Sequence, residues 1–303
     1  MSFIMTTAVF PDISLTITKN IKVQTIAAFK MWQNEYKKLM PKKSTDLKKE
    51  QMMHYEGPGT APIKEEADAS SQTRLYEGNI ETINQQTYSW EMPVSWEQRK
   101  FAYKNYGFIN QLGMYLSRSQ KLRYEYACAN VHNLGFSGGP TGYDSQQYYS
   151  ASHTWRSGGT YSNLLSAVAL SKDALESHLI AIAGKTQEFS IPTALRPSQI
   201  SIGINNIFVL PELLKSSLDP ETDSNAYNAL KEYPLKKNLS HYFSDNTSYI
   251  IDTDVNTRVL YEAQGVKFDS YVDNPTINLI ERAMSSIGAG FIRQMGSFGS
   301  QGN

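Results

Sequence analysis

One pair of residues has the types and the spacing that nucleophilic catalysis requires. Cys128 is the only cysteine of the chain, and His132 follows it by four residues, so on a helix the two side chains would be neighbours. A thiol whose proton is taken by an adjacent histidine becomes a nucleophile. A free cysteine, however, usually packs as a small buried hydrophobe. We therefore predict a structural Cys128, and keep a cytosolic hydrolase as an alternative that a loss of activity in Cys128→Ser would support.

Other segments match binding motifs only in part. The glycine-rich segment 135–142 lacks the Gly-Lys-Ser/Thr ending of a phosphate loop, and the Gly-Ala-Gly of residues 288–290 lacks the third glycine of a dinucleotide motif. Asp252 and Asp254 supply only two carboxylates, fewer than a cation site uses. We predict that no residue is catalytic, binds a cofactor or ligates a metal, and that the chain is not an enzyme.

The composition favours a protein that associates with copies of itself. Lys plus Arg and Asp plus Glu number 29 each, so the chain lacks the basic excess of tight nucleic-acid binders and the self-repulsion that keeps proteins apart. Its 19 tyrosines suit half-wet protein interfaces. No stretch approaches the ~18 apolar residues of a membrane-spanning helix. A single cysteine permits no internal disulfide, which fits a reducing cytosol.

The first third of the chain is predicted to contain little core. Residues 13–23 alternate loosely between apolar and polar, residues 25–40 show helical spacing that stops at Pro41, and the charged stretch 42–50 should be a solvated surface. Residues 56–94 have the features of a long extended loop or hairpin. This segment begins with a Gly-Pro-Gly turn and an acidic polar run. It ends in a predicted half-buried strand, whose alternating apolar side chains are Tyr88, Trp90 and Met92.

The strongest local signal is a long helix over residues 95–134. Ser95 and Gln98 form a capping box at its start. Unbroken, the helix would be roughly 55 Å long at 1.5 Å per residue, with Gly107 and Gly113 as the positions where it would bend or divide. The apolar positions of its one face are Phe101, Phe108, Leu112, Tyr115, Leu122, Tyr126 and Ala129.

The remaining chain is predicted as a second α/β region, so the fold class is α+β. A helix begins with Ser171 as its N-cap and ends at Gly184. Pro211 should open a short helix at its first position. The other predictions are strands at 200–204, 249–251 and 258–260, an exposed loop at 216–238, and a glycine- and serine-rich tail from 288 onward.

This order of elements resembles the Mu-like major capsid proteins of tailed bacteriophages, which have the Hong Kong 97 fold. That fold consists of an N-arm, an extended E-loop, a long spine helix in a peripheral domain, and an axial domain. The resemblance covers roughly residues 25–303. The stretches that carry it are Glu77-Gly78, Ser95-Trp96-Glu97, the Asn-Val-His-Asn-Leu-Gly-Phe of 130–136, His153 with 158–165, and the segments 170–176, 195–198, 208–211 and 297–299.

The resemblance implies a division of the chain and a function. The implied segments are an N-terminal arm at 1–55, an E-loop at 56–94, a peripheral domain with the spine helix at 95–170, an axial domain at 171–270, and a C-terminal return to the peripheral domain at 271–303. The implied function is self-assembly into hexamers and pentamers of an icosahedral phage head, a virion capsid built in the host cytoplasm. Scaffolding, portal and cement proteins are the expected partners, with DNA enclosed but not bound tightly or specifically. An encapsulin-like nanocompartment shell is the alternative.

The E-loop is where the resemblance predicts contact with a neighbouring subunit. Some members of the family join an E-loop lysine to an asparagine of a neighbour, and Lys64 is the only lysine between residues 57 and 92. We nevertheless expect no cross-link. The alternative for Trp90 is that it packs on its own spine helix. The predicted interface residues are Trp90, Tyr88, Met92, Lys64, Glu65, Glu66 and Arg74.

Overall fold

Two four-stranded sheets and one long helix form the frame of the molecule. The computed structural model describes residues 34–56, 63, 64, 66, 69, 70, 76–101, 106–155, 158–187, 190–217 and 227–302. Helices α1 to α5 span Tyr36–Leu39, Trp96–Phe101, Tyr106–Asn133, Lys172–Ala183 and Val209–Lys215. Strands β1 to β12 span Lys42–Ser44, Lys49–Glu56, Tyr76–Asn84, Gln86–Val94, His153–Thr154, Thr160–Tyr161, Pro197–Ile202, Lys236–Leu239, Tyr249–Thr253, Arg258–Asp273, Asn278–Phe291 and Ser297–Ser300.

The first sheet has the order β1-β10-β11-β4 and carries the long helix α3 on one face. Strands β10 and β11 form a long antiparallel ribbon, and β4 pairs antiparallel with β11. Alternate residues of β11 are buried, as a period of two requires of a strand with one covered face. Gln120 of α3 joins helix to sheet, because its Nε2 donates to the Ala283 carbonyl at 3.0 Å and its Oε1 accepts from the Ser285 hydroxyl at 2.8 Å.

The predicted capping box at Ser95 is confirmed. The Gln98 amide donates to Ser95 Oγ at 3.1 Å, and the Ser95 amide donates to Gln98 Oε1 at 3.0 Å. Helix α2 spans Trp96–Phe101 and the 28-residue helix α3 begins at Tyr106. Residues 102–105 between them fall outside the described residues, so a single helix over 95–134 stays a prediction. Gly113 lies inside α3 and does not divide it.

The second sheet has the order β12-β9-β7-β8 and holds a separate apolar core. Helix α4 covers it, and the predicted cap is present, since Ser171 Oγ accepts from the Ala174 amide at 3.3 Å. The buried side chains of this core include Leu175, Leu179, Ile182, Leu195, Ile200, Ile202, Leu210, Leu213, Tyr249, Ile251 and Phe298. A second core lies between α3, α1 and the first sheet, so each sheet has its own packing centre.

Four local predictions in this half are wrong. Ile204 lies in a 3-10 helix, Ile204–Asn206, rather than in a strand. Pro211 is the third residue of α5, where an N–H would still lack an intrahelical acceptor. The segment 216–238 contains a 3-10 helix, Ala229–Glu232, and the start of β8. The glycine-rich end is no loose tail, because its first glycines lie in β11 and Ser297–Ser300 is a fully buried strand.

Glycine at the end of β11 allows a hairpin to pack closely on the first sheet. A Cβ at Gly288 would lie 2.6 Å from the Asn84 carbonyl oxygen, and a Cβ at Gly290 would lie 2.9 Å from Ile83. Both contacted residues belong to β3, which pairs antiparallel with β2. Steric space, rather than flexibility, therefore explains these glycines.

Parts of the predicted arm and axial segment can be placed. The predictions for 13–23 and 25–33 fall outside the described residues, and the helix that precedes Pro41 is Tyr36–Leu39. Residues 258–270, predicted within the axial segment, belong to β10 and pair in the first sheet with residues 281–291. The predicted strands at 249–251 and 258–260 are confirmed.

Candidate assembly surface

Strand β4 forms one edge of the first sheet. Its inner side pairs with β11 from Val94↔Leu279 to Gln86↔Ile287, and no other described strand pairs with its outer side. An unpaired strand edge presents N–H and C=O groups that can bond to another chain. Pro93 interrupts the donors at one end, as is typical of an edge strand. Among the described strands, the outer edge of β4 is therefore unpaired.

The predicted interface residues of β4 lie along this edge. Trp90 is 61% exposed, whereas Tyr88 and Met92 are half-buried. Trp90 also lines a groove with α3 of its own subunit, so its contact with a neighbouring subunit stays a prediction beside the alternative that it packs on its own spine helix. Arg123 of α3 holds Tyr88 in place, since its guanidinium carbon lies 3.7 Å from the centre of the Tyr88 ring.

A groove of about 560 Å³ runs between β4 and α3. Its helix side presents a row of residues three to four positions apart, which share one helical face. Tyr115 is 55% exposed and Tyr126 is 47% exposed, and Tyr126 meets Tyr242 edge-to-face with ring centres 5.2 Å apart. The groove is lined by Thr87, Tyr88, Ser89, Trp90, Tyr115, Arg118, Ser119, Gln120, Leu122, Arg123 and Tyr126. Sequence analysis placed Tyr115, Leu122 and Tyr126 on the apolar face of the helix, yet two of the three remain largely exposed.

The other predicted interface residues are described only in part. Lys64 and Glu66 are exposed. Glu65 and Arg74 lie outside the described residues. The structure therefore brings together Tyr88, Trp90 and Met92 on one strand, while the four charged residues stay a prediction.

The pair of Cys128 and His132 is not arranged for catalysis. Cys128 is completely buried, and burial, together with the nearby Glu125 carboxylate, raises the pKa of its thiol. A thiol that stays protonated is a poor nucleophile. Both ring nitrogens of His132 are engaged elsewhere, with Tyr149 and Arg258. The structural assignment of Cys128 agrees with this geometry.

His132 belongs instead to a buried polar network where the two sheets meet. Arg258, at the start of β10, forms an ion pair with Asp252 of β9 and donates to His132 Nε2 at 2.5 Å. His132 is therefore neutral, with Nδ1 donating to the Tyr149 hydroxyl at 2.7 Å. Ser297 donates to Asp252 Oδ1 at 2.7 Å. We call these five residues the junction. Burial and the Arg258 charge lower the pKa of His132 well below its usual value.

A second buried network anchors the tyrosine-rich segment that follows α3. His153 Nδ1 lies 2.5 Å from Asp144 Oδ2, with both side chains fully buried. Asn163 donates to the carbonyls of Tyr148, at 2.6 Å, and of Gln294, at 3.1 Å. The network ties residues 144–163 to the chain just before β12. The His…Gly…Asn-Leu resemblance in the sequence marked two of these residues without indicating their partners.

The described residues offer no sign of a metal or membrane site. No three of their His, Cys, Asp and Glu side chains are grouped as a metal ion would require. No helix among them has the length and apolarity to cross a bilayer.

No protein-family model matches the sequence, and no curated protein matches it either. Solved structures do match, over nearly the whole chain. The capsid of cyanophage P-SCSP1u is 9% identical, with a TM-score of 0.57 over 89% of this chain and 88% of that one. The mature capsid of bacteriophage PhiM1 is 10% identical, with a TM-score of 0.60 over 90% and 88%. A virus-like particle from Pyrococcus furiosus is 10% identical, with a TM-score of 0.54 over 93% and 98%.

These matches establish the fold. The chain has the α+β, Hong Kong 97-like fold of phage capsid subunits, as its sequence predicted. At identities near 10% the likeness lies in the arrangement of helices and strands. It does not show which residues of a surface contact another subunit.

Proposed function

We propose that the chain is the major capsid protein of a tailed bacteriophage, which assembles through hexamers and pentamers into a closed shell around DNA. The observation that carries this proposal is the likeness to capsid subunits over about nine-tenths of both chains.

The surface of β4 and α3 supports self-association. Aromatic side chains such as Trp90 and Tyr115 remain exposed beside an unpaired strand edge. Tyr and Trp are enriched where protein surfaces meet, and an unpaired edge can accept a strand. A contact between two different patches, repeated around a closing rotation, produces rings. Pentamers and hexamers of a shell are rings of this kind.

The finer assignments extend the same proposal. Residues 1–55 would act as an N-arm and 56–94 as an E-loop, both lying on neighbouring subunits, while 95–170, 171–270 and 271–303 would supply the peripheral domain, the axial domain and the C-terminal return. The predicted contacts of the E-loop include Lys64, Glu65, Glu66 and Arg74. Scaffolding, portal and cement proteins would be partners, and assembly would take place in the host cytoplasm. An encapsulin-like compartment is the less favoured alternative, since the capsids of cyanophage P-SCSP1u and bacteriophage PhiM1 match with TM-scores of 0.57 and 0.60.

Electron microscopy and sedimentation of the purified chain test the proposal. The full-length protein, expressed alone and with the candidate scaffolding protein of its source genome, should form rings, tubes or closed shells. The matched control is the same preparation with Trp90→Ala, which should remain folded and assemble poorly. A chain that stays monomeric at high concentration in the presence of scaffold would contradict the proposal.

A further inference from the structure

A serine, a histidine and a tyrosine form a line of hydrogen bonds beside the second sheet. Ser166 Oγ lies 2.9 Å from His178 Nε2, and Nδ1 of the same ring lies 3.1 Å from the Tyr249 hydroxyl. Ser166 belongs to the connection between β6 and α4, His178 to α4, and Tyr249 is the first residue of β9. The three residues supply what Cys128 and His132 lack: a nucleophile, a base, and a group that orients the base.

The Tyr249 hydroxyl determines which nitrogen of His178 carries the proton. A phenol has one proton, and Tyr249 donates it to the Val168 carbonyl at 3.4 Å. The Tyr249 oxygen is then the acceptor for the Nδ1–H of His178, which leaves the lone pair of Nε2 for the Ser166 hydroxyl. Burial lowers the pKa of His178, so its ring is neutral near pH 7 and can accept a proton.

The nucleophile faces solvent, whereas the two residues behind it do not. Ser166 is exposed, while His178 and Tyr249 are buried. The Ser166 carbonyl accepts from Ser300 Oγ at 2.7 Å, which holds its backbone against β12. The next residue, Ala167, is exposed, and its amide has no backbone acceptor among the described residues. In acyl-transfer sites the amide after the nucleophile is a common donor to the oxyanion.

We propose that Ser166 is a site of covalent acylation, with His178 as its base and short activated esters or thioesters as the class of acyl donor. Attack of Oγ on the acyl carbon forms a C–O bond, and the bond from that carbon to the leaving oxygen or sulfur breaks. The Oγ proton passes to His178 Nε2 and then to the leaving group, so the ring ends neutral. The exposed side chains of Ala167, Val168 and Ala169 offer a small apolar surface that suits a short acyl chain. The step is a modification of the chain rather than turnover, and shell formation does not depend on it.

Peptide mass spectrometry of the full-length chain tests this assignment, after incubation with p-nitrophenyl acetate, an oxygen ester, or N,S-diacetylcysteamine, a thioester. Ser166 should be acetylated faster than other exposed serines, and Ser166→Ala should abolish that modification. His178→Gln should slow it about 100-fold or more, the usual contribution of a general base. The rate in the wild type should level off near neutral pH, because His178 is already deprotonated there.

Ser152 is the matched control. It is an exposed serine that adjoins a histidine in sequence, but the nitrogens of that ring bond to Asp144 and Asn163 instead. Its acetylation should be slow in every variant. Equal rates at Ser152 and Ser166, or an unchanged rate at Ser166 in His178→Gln, would overturn the proposal.

Folding and assembly are followed in the same samples. If circular dichroism shows that His178→Gln is unfolded, the pH profile of the wild type decides: a rate that keeps rising in proportion to hydroxide would show a serine without a base, and would contradict the proposal. Ser166→Ala should form shells as the wild type does, as seen by electron microscopy. A failure of acylation is thereby distinguished from a failure of assembly.

Discussion

The junction and the assembly surface use similar residues in opposite surroundings. Each pairs an arginine with a tyrosine: Arg258 with Tyr149 in the junction, and Arg123 with Tyr88 beside β4. The junction is closed to solvent, and its polar atoms are satisfied within the subunit. The assembly surface leaves Trp90 more than half exposed. Residue type therefore does not distinguish a stabilising contact from an assembly contact, whereas burial within one subunit does.

This difference in burial predicts whether a substitution will change the stability of the subunit or its assembly. Removing one member of a buried ion pair leaves an uncompensated charge inside the protein, so the cost falls on folding. Truncating an exposed aromatic costs little in the free subunit and a great deal in a contact that it anchors. Unfolding measurements and assembly measurements should therefore separate the two regions.

The largest effect is expected from Arg258→Met, which leaves the buried Asp252 carboxylate without its ion-pair partner. We expect a loss of about 3–5 kcal/mol in the free energy of unfolding, measured by denaturant titration of the isolated, unassembled subunit. The double variant Arg258→Met/Asp252→Leu removes both charges and should recover much of that loss. Equal instability of the single and double variants would show that shape, rather than charge pairing, maintains the junction.

Trp90→Ala tests the other region. The melting temperature of the isolated subunit should hardly change, while shell formation should weaken by about 2 kcal/mol or more per contact, as for an interface hot spot. Trp155→Ala is the matched control, because Trp155 packs on the apolar core of the second sheet and its ring lies 4.1 Å from that of Tyr161, centre to centre. That variant should melt early. A Trp90→Ala subunit that melts early and then assembles normally would remove β4 from the assembly surface.

Local signals in the sequence predicted much of the frame. The capping residues Ser95 and Ser171 depend on neighbours three residues away, and both were found as predicted. The ribbon of β10 and β11 was missed along most of its length, because bulges between Glu262 and Lys267 break the alternation that marks a strand.

The candidate sites were less predictable for a related reason. The sequence offers a reason to reject a cation site at Asp252 but no partner for it, because Arg258 and Ser297 come near it only when strands β9, β10 and β12 pack together. Likewise, helical spacing placed Tyr115 and Tyr126 on an apolar face, but spacing does not specify whether that face meets the core or a neighbour. Their exposure in one subunit supplies this information.

Cys128→Ala should have a smaller effect than the substitutions in the junction and in the assembly surface. The side chain is fully buried in the same core as Tyr124 and Leu260, so its removal leaves a small cavity, and we expect a destabilisation below about 2 kcal/mol with assembly intact. Differential scanning calorimetry and electron microscopy of the same sample check both parts. If the variant lacked a measurable hydrolytic activity that the wild type has, the structural assignment of Cys128 would be wrong.

Glu281 of β11 should give the smallest effect, visible only as a dependence on pH. It is the in-register neighbour of Met92 on β4, yet its side chain is buried, and burial, followed by the nearby Asp269 charge, raises its pKa to about 7. Because the folded state holds this proton more tightly than the unfolded state, whose value is near 4.5, the stabilisation is complete below pH 4.5 and is lost as pH rises through 7. Glu281→Gln keeps the shape without the charge. Its unfolding free energy should exceed that of the wild type by on the order of 1 kcal/mol at about pH 8.5, and the difference should shrink at about pH 5.5. A difference in unfolding free energy that stays constant between about pH 5.5 and about pH 8.5 would show that Glu281 does not titrate in this range. The buried face of β11 would then tolerate a charge as readily as the exposed edge of β4.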